Sequence, residues 1–188
     1  TASGSSSTAF GYGTTASGTY STAFGFQTTA SGYESTAFGD GTTASGYNST
    51  AFGNQTTACG STSTAFGALT KASGYISTAF GDGTTASGQL STAFGYKTKA
   101  NTYAMLAFGR CNDTTKNHGT DSYVTWWDDD PIFVIGNGTA DNNRKNALTV
   151  LKNGNTGIGT STPTYKLDVT GDARITGVIR PNWIEVSA

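Results

Sequence analysis

The most constraining feature of the sequence is a short motif, Ser-Thr-Ala-Phe-Gly, that returns at a fixed interval of fourteen residues. A second motif, Thr-Ala-Ser-Gly, lies midway between successive copies, as at residues 43–46. No insertion or deletion interrupts the spacing, so each repeat is predicted to be one structural unit stacked on the next. The phenylalanines of the motif are Phe10, Phe24, Phe38, Phe52, Phe66, Phe80, Phe94 and Phe108.

The half-period of seven residues raises the question of a coiled coil. Every heptad contains a glycine, which costs a helix about 1 kcal/mol, and leucine is absent from the a and d positions. Threonine favours strands. We therefore predict an all-β solenoid in which each coil has two short strands and two turns. Because stacked strands lie about 4.8 Å apart, the rod would be on the order of 40 Å long.

Alternation along each strand assigns residues to the two faces. In Ser-Thr-Ala-Phe the alanine points away from its two neighbours, and two alanines per coil would fill a thin roll. The phenylalanines then face outward as an apolar stripe that is too large for a soluble monomer. A homotrimer whose axis is lined by these phenylalanines is the simplest closed arrangement. The inverse assignment, with phenylalanine inside, would overfill a two-stranded roll.

Charge and cysteine content exclude several classes of protein. The 188 residues carry a net charge of -1, which gives no electrostatic footprint for nucleic acid. No apolar run approaches the roughly 18–20 residues that span a bilayer, so no membrane insertion is expected. The chain has neither an initiator methionine nor a signal peptide, as expected of a processed chain or an excised fragment. Cys59 and Cys111 would lie roughly 18 Å apart, too far for a disulfide.

The pattern Ala-Phe-Gly-x-x-Thr-Thr-Ala-Ser-Gly-x-x-Ser-Thr-Ala-Phe-Gly resembles the head repeat of trimeric autotransporter adhesins of the YadA type. The resemblance covers residues 1–109. It implies a left-handed parallel β-roll, three chains side by side and a role at a cell surface. Phenylalanine stands where that family usually has isoleucine or valine, which implies a more aromatic axis.

The variable pairs after each glycine are predicted to form the turn tips. Exposed tyrosines there could stack on sugars or contact a protein receptor, although each could also pack on its neighbour one coil away. Asp40-Gly41 and Asp82-Gly83 are ordinary tight-turn pairs, and we expect no metal or cofactor at them. The candidate ligand contacts are Tyr33, Tyr47, Tyr75, Tyr96, Trp126 and Trp127.

A regular threonine ladder suggests a further alternative, since ice-binding solenoids present threonine on one face. The ladder contains Thr14, Thr28, Thr42, Thr56, Thr70, Thr84 and Thr98. The adjacent ladder is interrupted by Lys71 and Lys99, which a flat ice-matching surface would tolerate poorly. Threonine and serine are expected to cover the surface of the rod, so replacing Thr56 and Thr70 should have little effect.

The fourteen-residue register is predicted to end after Gly109. Residues 110–146 would form a transition or cap in which Trp126 and Trp127 seal the end of the phenylalanine column. Residues 147–188 would form a short β-rich shaft that covers or continues the open edge of the last coil. The predicted strands here cover residues 132–135, 147–151, 165–169 and 173–179, separated by turn signals.

Residues 146–160 and 165–171, with their Gly-Ile-Gly-Thr and Lys-Leu-Asp-Val motifs, look like the shafts of phage tail fibres and related bacterial surface fibres. Such shafts often precede a self-cleaving chaperone that assembles the trimer, which would make the end at Ala188 a processing scar. No catalytic constellation is present, because His118 is the single histidine and no nucleophile or acid partner accompanies it in the sequence.

These features predict a non-enzymatic, extracellular and trimeric fibre segment that binds a cell-surface glycan or protein receptor. A tail fibre of a phage or contractile injection particle is the first interpretation, because a YadA-type adhesin would continue into a neck, a coiled coil and a membrane anchor. The head of a bacterial trimeric adhesin is the alternative, and the ice-binding solenoid is a more remote one.

Overall fold

Each fourteen-residue repeat folds into one coil that contains a five-residue strand, such as Thr50–Asn54, and a two-residue strand, such as Thr57–Ala58. A computed structural model describes residues 1–114, 118 and 121–178. The chain is an all-β parallel solenoid, as the repeat predicted. Strands of successive coils pair in register, so that Ala51 lies beside Ala65 and Phe52 beside Phe66.

Two parallel ladders run the length of the repeat region. The long strands are β1 (Thr8–Tyr12), β3 (Thr22–Phe26), β5 (Thr36–Asp40), β7 (Thr50–Asn54), β9 (Thr64–Ala68), β11 (Thr78–Asp82), β13 (Thr92–Tyr96) and β15 (Leu106–Arg110). The short strands are β2 (Thr15–Ala16), β4 (Thr29–Ala30), β6 (Thr43–Ala44), β8 (Thr57–Ala58), β10 (Lys71–Ala72), β12 (Thr85–Ala86) and β14 (Lys99–Ala100).

Small side chains fill the interior of the roll. Both alanines of a coil are fully buried, as Ala51 and Ala58 illustrate, and the alternation of faces correctly predicted this. The residues two positions before each alanine, immediately ahead of the strand, point to the same side, so Ser49 and Thr56 are also fully buried. A middle coil therefore contributes two alanines, one serine and one threonine to the core, and Met105 takes the serine position in the last coil.

The burial of the threonine ladder corrects two expectations. Thr56 is 0% exposed and Thr70 is 1% exposed, so neither covers the surface, and their replacement cannot be assumed to have little effect. The same ladder offers no face to ice, because its members from Thr14 to Thr98 are all buried.

Glycine at the end of each long strand permits the close stacking of coils. Gly53 has a φ of 126°, and a Cβ added there would lie 2.0 Å from the carbonyl oxygen of Gly67. Such a contact is impossible, so the backbone could not keep this path with any other residue. The same geometry recurs one coil earlier and one coil later, at Gly39 and Gly67.

The fourteen-residue spacing ends after Gly109, but the parallel stacking of long strands continues for one strand more. Strand β16 (Pro131–Asn137) pairs in parallel with β15, placing Val134 beside Ala107 and Ile135 beside Phe108. Val134 is fully buried in the alanine position. The chain thus adds one more long strand to the rod after an interval of 27 residues instead of fourteen.

The ladder of short strands ends where a side chain, and not another strand, bonds to the main chain of the last strand. The Lys99 N–H donates to Asn112 Oδ1 at 2.7 Å, and Asn112 Nδ2 donates to the Lys99 carbonyl at 3.0 Å. In earlier coils these main-chain groups pair with the next coil, as when the Thr85 N–H donates to the Thr98 carbonyl. The buried Asn112 amide therefore takes the place of a missing strand and closes the edge.

Beyond β16 the sheet changes direction. Strand β17 (Asn146–Leu151) is antiparallel to β16, β18 (Thr156–Ile158) is antiparallel to β17, and β19 (Leu167–Val169) is parallel to β18. A 3-10 helix, Asp121–Tyr123, lies in the segment between β15 and β16.

The predicted strand at residues 173–179 is wrong over its described part, because residues 173–178 are exposed and pair with no strand that the structure describes. Residue 179 lies outside the described residues. The division at residues 109 and 146 stays a prediction, since one sheet runs from β1 to β19. Cys59 is exposed and Cys111 is buried, and both are free thiols.

Candidate functional site

The phenylalanines form one continuous stacked column on the outside of the roll. Neighbouring rings lie 4.9 to 5.4 Å apart and are nearly parallel, with interplanar angles of 3 to 11°. Even with neighbours on both sides, the ring of Phe52 remains 39% exposed. In the single chain, the column is an apolar stripe open to solvent along the whole repeat region, as the alternation of faces predicted.

The end of this column differs from the prediction. Ile135 follows Phe108 in the same row, so an aliphatic side chain of β16 continues the stripe. Trp126 and Trp127 do not take that place. Trp127 stacks on His118 with ring centroids 4.1 Å apart, and Trp126 donates from Nε1 to Asp128 at 2.9 Å. Both indoles are exposed to solvent, Trp126 at 47% and Trp127 at 37%.

A cluster of charged and aromatic groups surrounds these tryptophans. Lys152 Nζ lies 5.0 Å from the centre of the Trp126 ring and 5.8 Å from that of Tyr103, so both rings face the ammonium group. Partial burial lowers the pKa of Lys152, and the nearby Asp130 acts in the opposite direction. His118 Nε2 lies 2.8 Å from Asp129. The histidine therefore contacts a carboxylate and an indole, whereas the sequence suggested no acid partner for it.

The tyrosines of the turn tips form a shorter aromatic row along one edge of the rod. Tyr33 and Tyr47 stack at 5.1 Å, and Tyr20 meets Tyr33 edge-on at 5.7 Å. Partial burial and the Glu34 carboxylate raise the pKa of Tyr33. Ser61 interrupts the row, and Tyr75 lies beyond it, half exposed. Each tyrosine packs on its neighbour where there is one and still presents an edge to solvent.

Tyr96 lies at a different corner, among cations. Lys97 Nζ and the Arg110 guanidinium lie 5.6 and 5.5 Å from its ring centre. Lys97 also pairs with Asp141 at 2.9 Å. The hydrogen bond from Lys97 is the main cause that lowers the pKa of Asp141, and the same pair raises the pKa of Lys97.

Arg144 fastens the loop that carries Asp141 to the last coil. Its guanidinium pairs with Asp141 and donates to the main-chain carbonyls of Lys97 and Asn112 at 2.9 and 3.1 Å. Arg110 adds a bond to the Thr139 carbonyl at 2.7 Å. Sequence reasoning missed this corner, because the bonds that join it to the last coil connect residues 29 to 47 positions apart, which share no common motif.

The described residues contain neither a metal-ligand cluster nor a membrane-spanning helix. No group of three or more histidine, cysteine or acidic side chains is arranged there to hold a metal ion. Within residues 1–114, 118 and 121–178, no helix has the length and apolar character that a membrane crossing requires.

Comparison with known families assigns the repeat region. The family model described as YadA head domain repeat (2 copies) matches residues 2–28, 30–56, 58–85 and 86–103, which is more than half of the chain. The chain belongs to this family. Its head repeats and solenoid are adhesin-type structural features. No curated protein sequence matches the chain.

Proposed function

We propose that this chain is a non-enzymatic head segment of a trimeric surface adhesin, a rigid rod that presents binding groups to another surface. The observation that carries the proposal is the match of YadA head repeats along a solenoid with an open aromatic column. The match supports the adhesin head more than the tail fibre that the C-terminal motifs suggested, because the matched repeats are those of a YadA head and the C-terminal motifs lie outside the match. The likeness of residues 146–171 to a fibre shaft stays a prediction.

Trimer formation is the first part of this proposal. Eight phenylalanines lie in register on one face of the described repeat region. Three parallel copies of the chain would carry these rings at the same heights along the rod. Burying a phenylalanine ring completely contributes roughly 1.5–3 kcal/mol, and each ring here is already partly covered by its neighbours. A three-fold arrangement closes the stripe against itself without leaving an open end for further chains.

Ligand binding is the second part. With the phenylalanine column facing the axis, the turn edges and the C-terminal cluster would remain on the outside of the trimer. Tyrosine and tryptophan combine a large apolar ring with a polar group, so they suit contacts with a glycan or a protein receptor. We assign this role to Tyr33, Tyr47, Tyr75, Tyr96, Trp126 and Trp127 as candidates. An extracellular, surface-exposed location follows from the same proposal.

Attachment to cells or extracellular matrix tests the function. The protein, coupled to fluorescent beads, should retain them on a panel of host-cell and matrix surfaces. A variant with Tyr33→Ser and Tyr47→Ser should retain fewer beads, whereas Tyr165→Ser, which removes an exposed tyrosine from the C-terminal region, should not change retention. Absence of retention on every surface at micromolar concentrations would identify the rod as a spacer and contradict an adhesive role.

A further inference from the structure

The ladder of short strands presents a second outward face, built from hydroxyl groups. In each coil the residues on either side of the buried alanine point outward, as Thr85 and Ser87 do beside Ala86. Two positions break the threonine row, because Lys71 and Lys99 stand where the other coils have threonine. The face is therefore neutral over its first coils and basic toward its C-terminal end.

At that end the face becomes one side of a trough of about 450 Å³. Thr114 and Tyr123, from the segment after β15, form the opposing wall. This wall is held in place by main-chain bonds, since the Gln89 N–H donates to the Tyr123 carbonyl at 2.7 Å and the Tyr103 N–H donates to the Ser122 carbonyl at 2.7 Å. The trough is consequently a preformed feature of the fold.

Among the residues that the structure describes, the lining of the trough contains two lysines and no acidic side chain. Lys71 and Lys99 form no salt bridge and no side-chain hydrogen bond with any residue in the part of the chain that the structure describes. Lys71 lies on β10 and Lys99 on β14, with Thr85 of β12 between them, so their Cα atoms are separated by roughly 9.6 Å. Two free ammonium groups thus lie in a row along the rod axis, among hydroxyl groups.

We propose that this trough binds a linear acidic polysaccharide, with Lys71 and Lys99 contacting anionic groups on successive parts of its chain. This inference rests on the proposed adhesive function and names a ligand class for it. The hydroxyls of Ser73, Thr85 and Ser87 provide donors and acceptors for sugar hydroxyls, and the Tyr123 side chain lines the opposite wall.

The spacing of the charges favours a chain of anions over a single one. A single phosphate or sulfate is bound best by donors that converge on one point. Lys71 and Lys99 instead lie on two strands, β10 and β14, with strand β12 between them. An acidic peptide would bring apolar side chains, and the described lining offers only the Tyr123 ring among lysine, serine, threonine and asparagine side chains. The net charge of the whole chain is -1, so the rod as a whole does not attract a polyanion, and binding would depend on a local group of cations such as this pair.

The repeat itself supplies the matched variant for a test. Lys71→Thr with Lys99→Thr restores the residue that the other coils carry, so the fold should be retained. Calorimetric titration at low salt with octagalacturonate should show binding to the native protein that this variant weakens by about tenfold or more. A variant with Lys71→Arg and Lys99→Arg should keep the affinity. A variant with Lys166→Thr and Arg174→Thr removes the same charge outside the trough and should bind normally.

Three further ligands separate the alternatives. Fully methyl-esterified octagalacturonate, which keeps the sugar backbone and loses the charge, should not bind. A heparin octasaccharide that binds more tightly than octagalacturonate would identify sulfate as the preferred group and would support the trough equally. An octaglutamate peptide that binds as well as the sugars would overturn the assignment to a polysaccharide.

Failure of this inference is distinguishable from failure of the adhesive function. If the beads attach to cells and the threonine variant attaches equally well, the trough is not the binding site while the adhesin proposal stands. If neither octagalacturonate nor the heparin octasaccharide binds the native protein, the inference about the trough is likewise overturned. The adhesive function is then decided by the attachment experiment alone.

Discussion

At the scale of single residues, the interior of the roll contains two kinds of hydroxyl with different bonding. Ser49 Oγ donates to the Gly46 carbonyl at 2.7 Å. Thr56 Oγ1 is buried and has no hydrogen-bond partner among the residues that the structure describes, and neither has Ser63 Oγ one coil further on. Burying an unbonded hydroxyl costs about 1–3 kcal/mol, so the threonine ladder is tolerated for its shape at a cost in stability.

The first prediction follows from this difference. Thr56→Val keeps the shape of the side chain and removes the unbonded hydroxyl, so it should stabilise the protein by about 1 kcal/mol. Ser49→Ala removes a hydrogen bond and should destabilise by about 1 kcal/mol. Ser63→Ala is the matched control and should change stability less than Ser49→Ala. Denaturant midpoints of the three variants measure the order, and a loss of stability in Thr56→Val would refute the explanation.

A second prediction concerns the left-handed residue of each turn. Ile76 has a φ of 51°, a conformation that a β-branched side chain adopts only with strain, whereas Asn48 has a φ of 50° at the same position of its coil. Ile76→Asn should therefore raise stability by about 1 kcal/mol, and the reciprocal Asn48→Ile should lower it by a similar amount. Thermal unfolding of both variants tests the pair. Equal and unchanged melting temperatures would show that the turn bears no such strain.

At the scale of strands and loops, the loop over residues 138–145 depends on the ionisation of Asp141. The folded protein holds the pKa of Asp141 below its ordinary value of 3.8, mainly through the hydrogen bond from Lys97. A carboxyl group with a lowered pKa contributes stability above its unfolded pKa and loses it as the pH falls through the folded value.

The third prediction is therefore an acid-dependent release of this loop. Native protein should be more stable than an Asp141→Asn variant at neutral pH, and the difference should vanish as the pH falls below the folded pKa of Asp141. Melting temperatures of both proteins between about pH 7 and pH 2 measure the effect. Asp40→Asn is the control, because the one bond that the Asp40 carboxylate accepts from the described residues is long and exposed, at 3.4 Å from Asn54. A pH-independent difference would contradict the role assigned to the ion pair.

Most of the solenoid could be predicted from the sequence because one period fixes strand, turn and face together. The burial of Thr56 could also have been predicted, because Thr56 and Ala58 are two residues apart and must share a face. Strand β16 was harder to foresee. Phe133-Val134-Ile135-Gly136 repeats the pattern of Leu106-Ala107-Phe108-Gly109, but the interval of 27 residues hides it from a search at fourteen.

The C-terminal contacts were beyond sequence reasoning. The side chain of Asn112 replaces a strand, and Arg144 joins the carbonyls of two distant residues. Neither role has a local signature, because each depends on where the chain passes after it leaves the repeat.

At the scale of the whole molecule, the exposed phenylalanine column is expected to lie between chains. The fourth prediction is that light scattering gives the mass of three chains for the native protein. Phe52→Ser with Phe66→Ser removes two adjacent rings from the middle of the column and should dissociate or unfold the assembly. Tyr47→Ser with Tyr75→Ser changes the turn edge and should leave the mass unchanged. A stable, folded native monomer would contradict the axial placement of the phenylalanines.

The in-register stacking of identical coils also has a consequence for how such a rod changes in evolution. Each coil ends with the backbone geometry with which it began, so removing or duplicating a fourteen-residue block leaves every junction chemically the same. Unequal recombination within the gene could then lengthen or shorten the rod in steps of about 4.8 Å without new packing having to be invented. Reach would vary among strains of one lineage while the groups at the C-terminal end stayed the same.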